Sequence, residues 1–175
     1  MMKKLLLLLL LIACCAVNYA QETPAAEAPK DTLLYKKYPD LPAFNIRLLD
    51  SFNVLNTYNI PKGRYSLLVL FEPDCKHCQD VTREILRGMD SLSNIDFYWV
   101  TPAQSMTRLR EFYKEYKMAD YKNIKAVGRD YEFFYIDYFG VKSYPDFALY
   151  DEKKKFVKLF LGRVTPKELW DATHK

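Results

Sequence analysis

The chain is predicted to fold as one α/β domain, a mostly parallel sheet with helices on both faces. Three observations lead there. The segment "YSLLVLF" (65–71) is a short continuous apolar run, the pattern of a strand buried on both sides. Strand-like and helix-like segments then alternate to about residue 127, as in units that return each strand parallel to the last. A hairpin and a closing helix complete the chain.

Before the first buried strand, "FNIRLLDSFNVLNTYNIPKG" offers two short extended pieces around Asp50-Ser51, the pattern of a hairpin. Pro73 ends the 65–71 strand. From Cys75 onward Cys78, Val81, Ile85 and Met89 share one helical face, with Arg83, Glu84 and Arg87 on the other. "IDFYWV" (95–100) is the next strand. Met106, Leu109, Phe112 or Tyr113, and Tyr116 recur at helical spacing, and "NIKAV" (123–127) is a weaker strand. "YEFFYIDYF" suits a helix and a strand equally. "DFALY" (146–150) and "KFVKLFL" (155–161), joined by "DEKKK", form a hairpin. Thr165 caps a last helix running to about Thr173, with Pro166 in its first turn and Glu168 completing the capping box.

The chain opens "MMKKLLLLLLLIACCAVNYAQ". Lys3 and Lys4 precede the apolar run Leu5–Val17, whose 13 residues match a signal-peptide core better than a membrane span. Cleavage after Ala20 is the favoured cut. The alternative is "LIAC", which resembles a lipoprotein signal-peptidase site and would leave Cys14 as a lipid anchor. Either cut implies export, and a periplasmic place is expected. Residues 21–30, "QETPAAEAPK", have the composition of a tether. The expected organisation is a signal peptide over 1–20, a flexible linker over 21–31 and one domain over 32–175.

Without Lys3 and Lys4 the net charge of +4 falls to +2. The lysines are scattered, so no nucleic-acid partner is expected. Cys14 and Cys15 lie in the signal segment, which leaves Cys75 and Cys78 in a compartment where disulfides form. About 150 residues bury a core without covalent staples. A bridge over so short a loop would also constrain the unfolded chain little. A structural zinc site needs four ligands, and beyond this pair only His77 and His174 are available. A redox pair is the best remaining reading, with a partner-binding domain that does no redox chemistry as its rival.

The redox reading has a physical basis in "LFEPDCKHCQD" (70–80). A thiol at a helix N-terminus meets unpaired backbone N–H groups and the positive end of the dipole, which favour thiolate. Lys76 and His77 add cationic character beside Cys75. Cys75 is then the exposed attacker, and Cys78, one turn in, the buried resolving thiol.

"LLVLFEPDCKHCQDVTREIL" resembles the strand–C-x-x-C–helix of the thioredoxin superfamily, and "YFGVKSYPDFALYDEKKKFVKLFLG" resembles its second signature. The resemblance as a whole covers roughly residues 40–173. The extra N-terminal hairpin and the additional helix and strand in 101–130 exceed plain thioredoxin, and with the export segment they resemble the TlpA/ResA-like branch. The resemblance implies an α/β, thioredoxin-like fold: a central mixed sheet flanked by helices, with an N-terminal β-hairpin and an extra helix and strand in 101–130. It implies that Tyr144–Pro145 is a cis peptide facing the cysteines and binding the substrate chain, and that Gly162 is the family glycine. The implied function is that of a thiol–disulfide oxidoreductase, a reductant, with oxidase or isomerase as alternatives. It uses protein thiols and disulfides and a membrane or periplasmic electron donor or acceptor, and needs no bound cofactor or metal.

Four positions depart from the family pattern. Asp74 stands where the family usually has Trp, and its carboxylate would oppose a thiolate. Val69 replaces a buried Asp, which leaves Glu72 as the nearest proton acceptor, unless it is an exposed or ion-paired surface acid. Asp146 follows Pro145 where Thr is common. His77 before the second cysteine resembles oxidising members of the superfamily.

Overall fold

The computed structural model describes residues 33–174. The expected signal peptide, linker and Cys14 lie outside the described residues. Seven strands and five α-helices follow the order α1 (Leu34–Lys37), β1 (Asn45–Leu48), β2 (Val54–Asn56), β3 (Tyr65–Leu70) and α2 (Lys76–Arg87). They continue with β4 (Ile95–Thr101), α3 (Met106–Glu115), β5 (Ile124–Arg129), α4 (Phe134–Phe139), β6 (Asp146–Tyr150), β7 (Phe156–Leu161) and α5 (Pro166–Thr173).

Local chemistry accounts for the boundaries. Asp50 Oδ1 accepts the N–H groups of Phe52 and Asn53, both at 2.9 Å, and closes the turn between β1 and β2. Ser105 Oγ caps α3 by accepting the Arg108 N–H at 3.1 Å, and Thr165 with Glu168 forms the expected capping box of α5. The ambiguous "YEFFYIDYF" contains the short helix α4. Asp130 Oδ2 accepts the Tyr135 N–H at 2.8 Å, Gly140 ends the helix at φ 64°, and Tyr135, Tyr138 and Phe139 turn inward at helical spacing.

The sheet order is β2-β1-β5-β4-β3-β6-β7. Here the expectation of a mostly parallel sheet needs correcting. Among the described residues only β3–β4 and β4–β5 pair parallel, and the other four pairings are antiparallel. The two helical crossovers make the parallel centre. The hairpins then attach to its two edges, β1–β2 against β5 and β6–β7 against β3, each in the opposite sense. The sheet is mixed, as the family resemblance implies.

Alternate residues of each strand feed two cores. Leu67, Val69, Phe97, Trp99 and Phe147 pack beneath α2, α3 and α5. Leu68, Leu70, Tyr98, Ala148 and Tyr150 pack against the aromatic helix α4 and against Tyr35 of α1. Because β3, β4 and β5 are parallel, the helices that follow them all start at one end of the sheet.

Candidate active site

The strand β3 delivers its chain through Phe71, Glu72 and Pro73 into α2, and Cys75 is the N-cap of that helix. Its backbone N–H donates to the Glu72 carbonyl at 3.1 Å, and its carbonyl accepts the Gln79 N–H at 3.0 Å. Gln79 Nε2 donates to the Pro73 carbonyl at 2.9 Å and pins the loop from the helix side. These bonds leave the Cys75 sulfur at the helix mouth, where it accepts the Cys78 N–H at 3.3 Å. The Cys78 N–H and the positive end of the helix dipole both face that sulfur.

The two thiols are free and their surroundings differ. Cys75 is half-buried, whereas Cys78 is 1 % exposed. Burial pushes the Cys78 thiol up to about 12, helped by its side-chain hydrogen bond with Cys75 and by negative charge on Cys75 and Glu72; a hydrogen bond to the Glu72 backbone works against this. Cys78 shares a closed gap, too narrow for a water molecule, with Val69, Phe71, Val81, Trp99, Pro145 and Phe147. Val69 therefore lies beside Cys78 but supplies no proton acceptor.

Glu72 is half-buried and makes no ion pair among the described residues. Burial, and next the Asp74 carboxylate, push its carboxyl above the usual range. Asp74 itself is exposed, and its Oδ1 lies 2.6 Å from Arg108 Nε. Arg108 thus holds the carboxylate that the sequence set against the thiolate. It also donates to the Pro73 carbonyl at 3.4 Å, and Glu111 and Glu115 lie within 4.0 Å. Glu72, Asp74 and Arg108 line an open groove of about 460 Å³ with Pro102, Ala103 and Phe133.

The polar ends of the two residues between the cysteines are bonded elsewhere. Lys76 Nζ pairs with Asp80, one turn along the helix. His77 Nε2 donates to the Gly162 carbonyl at 2.7 Å, and the Gly162 N–H donates to the Pro145 carbonyl at 2.9 Å. Gly162 has φ +72°, a conformation other residues rarely adopt. The Tyr144–Pro145 peptide is cis. Tyr144 is half-buried, and its hydroxyl is pushed up by burial and then by negative charge on Glu72 and Cys78. Asp146 is turned to the other face of the sheet, 1 % exposed, where its Oδ1 accepts the Tyr135 hydroxyl at 2.8 Å.

Sequence reasoning missed Arg108 and Gln79. Gln79 lies one turn beyond Cys75, and that spacing is a usable signal. Arg108 had none, because only the parallel pairing of β3 with β4 sets the start of α3 beside the start of α2.

No family model matches the chain, and no curated protein does. Solved structures do match. StoA from Bacillus subtilis is 17% identical over 77% of this chain and 98% of its own, with a TM-score of 0.58. A secreted Mycobacterium tuberculosis disulfide oxidoreductase homologous to Escherichia coli DsbE is 13% identical over 74% of this chain and 92% of its own, with a TM-score of 0.60. The pneumococcal exposed lipoprotein thioredoxin of Streptococcus pneumoniae is 21% identical over 74% of this chain and 96% of its own, with a TM-score of 0.56. The fold of this chain is thioredoxin-like.

Proposed function

We propose that this chain is an exported thiol–disulfide oxidoreductase that works through Cys75 and Cys78 and reduces protein disulfides. The observation that carries this reading is the asymmetry of the pair. One sulfur is accessible at a helix cap and receives an N–H; the other is buried one turn in. An attacker needs the first environment and a resolving thiol suits the second.

The Cys75 thiolate attacks one sulfur of a substrate disulfide. That bond breaks, a Cys75–substrate disulfide forms, and the released substrate thiolate takes a proton from water. Cys78 then attacks the Cys75 sulfur, its proton passes to Glu72, and the second substrate thiolate leaves. Two electrons have moved from the dithiol to the substrate, and the chain is left with a Cys75–Cys78 disulfide. A membrane or periplasmic dithiol protein returns the electrons. With its thiol near 12, Cys78 is protonated at neutral pH and needs a base. Glu72 is the neighbouring carboxylate that no ion pair holds, whereas Asp74 is held by Arg108. Tyr144–Pro145 receives the substrate chain, while Lys76 and His77 are bonded to Asp80 and the Gly162 carbonyl.

Reduction rather than oxidation is supported by His77, whose Nε2–H is engaged by Gly162 instead of the Cys75 sulfur. Export is supported by the apolar N-terminal segment and by similar proteins described as secreted or exposed. The test is Cys78→Ala in the full chain, expressed in a bacterial host with its own N-terminus. The expected result is a set of partner adducts, joined through Cys75, that dithiothreitol releases. Absence of adducts would favour the binding-module rival. A reduction potential near or below about −250 mV supports a reductant, and one above about −180 mV makes the protein a disulfide donor or isomerase.

A further inference from the structure

We infer that Arg47 and Arg129 form a binding site for an oxyanion, a carboxylate or a phosphate, apart from the cysteines. The two arginines are directly opposed across the antiparallel β1–β5 pair. Both occupy the face of the sheet that carries α2 and α3, since Ile46 and Ala126 point to the opposite core and side chains alternate along each strand. Like charges in this position repel one another and destabilise the pair.

Among the described residues only the Tyr131 ring, in cation–π contact with Arg47, works against that repulsion. Among the described residues neither guanidinium makes an ion pair or a side-chain hydrogen bond, and the Nε atoms of both are buried without a partner. Of the nearest carboxylates along the chain, Glu132 makes no ion pair among the described residues, and the other two are occupied by backbone N–H groups. Asp50 accepts from Phe52 and Asn53, and Asp130 accepts from Glu132 and Tyr135. A buried donor left unpaired is costly, and paired guanidinium forks match the planar, multi-oxygen geometry of carboxylate and phosphate. An oxyanion bound by the outer N–H groups of these forks would offset the repulsion between the two charges.

The arrangement is also held in place. The Tyr131 ring lies 4.7 Å from the Arg47 guanidinium and fixes its orientation. Gly128 lets β1 close onto β5, because a Cβ there would come within 2.5 Å of the Arg47 carbonyl oxygen. Arg129 is paired with Thr101 at the end of β4, so the site shares the sheet end at which the cysteines lie. A free inorganic anion or an acidic side chain on a bound polypeptide presents the same chemistry to it.

Two titrations of the full chain separate these sources. In the first, thermal unfolding is followed in sodium phosphate and in sodium chloride at equal ionic strength, so that screening is matched. In the second, calorimetry compares a pentaglutamate peptide with pentaglutamine. The expected result is a melting temperature that rises with phosphate and not with chloride. Arg129→Met weakens this response at least tenfold, and Arg129→Lys, which keeps the charge and loses the fork, weakens it less. If phosphate has no effect but pentaglutamate binds, pentaglutamine does not, and Arg129→Met abolishes that binding, the oxyanion is a polypeptide carboxylate. Should Arg129→Met not fold, Arg47→Met takes the same two titrations. Identical behaviour of wild type and variants towards both probes overturns the site.

Discussion

Two strand-to-helix junctions at the same end of the sheet handle one physical problem differently. At the β3–α2 junction the exposed N–H groups of the helix meet a cysteine sulfur, with the Cys78 N–H donating to Cys75 at 3.3 Å. At the β5–α4 junction they meet carboxylate. Asp130, 1 % exposed, accepts the Tyr135 N–H at 2.8 Å and the Glu132 N–H at 3.2 Å. The Tyr135 hydroxyl then donates to a second buried carboxylate, Asp146. Sulfur is a weak acceptor and carboxylate a strong one. The first junction therefore leaves the Cys75 sulfur under-satisfied at the helix mouth, as the proposed chemistry requires, while the second spends its acids on holding a short aromatic helix.

The largest effect should come from the first junction. Cys75→Ser puts a favoured capping residue at the N-cap, so the variant is expected to melt at a higher temperature, by about 0.5–1 kcal/mol of added stability. Disulfide reductase activity, measured on insulin or a peptide disulfide, should fall by at least about a thousandfold with loss of the nucleophile. A lower melting temperature would show that the sulfur caps α2 better than a hydroxyl does.

The second junction should give a loss of stability with no loss of chemistry. Asp130→Ala removes one buried and one part-buried acceptor contact and is expected to cost about 2 kcal/mol in denaturant unfolding, while the rate of Cys75 alkylation by iodoacetamide stays unchanged. A parallel fall in alkylation would mean that the two junctions are coupled.

An effect of similar size tests the pH dependence of the same region. Burial raises the Asp146 carboxyl to about 6, opposed by the Tyr135 hydrogen bond. The folded state thus holds this proton more tightly than the unfolded chain, whose carboxyl titrates near 3.9. Stability from this group is full below about pH 4 and is lost as pH rises through 6. Asp146→Asn keeps an acceptor for Tyr135 and carries no charge. It should be more stable than wild type by about 2 kcal/mol at pH 7.5, with the gap closing towards pH 4. A gap independent of pH would assign the effect to packing.

Much of this molecule is legible along the chain because its causes are local. The Asp50 turn, the Ser105 and Thr165 caps and the buried run of β3 each depend on residues a few positions apart. The same is true of the cysteine pair, since three residues on a first helical turn place one sulfur at the cap and the next inside. The "YEFFYIDYF" segment marks the limit of such reading, for its helical state depends on Asp130 upstream and on the core that its rings enter. The sheet's antiparallel majority was likewise invisible, because hairpins announce their own turns and not the edge they join.

What remained for the tertiary structure was the electrostatic setting of the site. Arg108 meets Asp74 across 34 residues, and His77 meets Gly162 across 85. Arg47 faces Arg129 only because β1 inserts beside β5. A sequence states which charges exist and which side of a strand or helix they occupy. Which charge neutralises which is decided by strand order, since Coulomb and hydrogen-bond energies fall off within a few ångströms that chain distance does not predict.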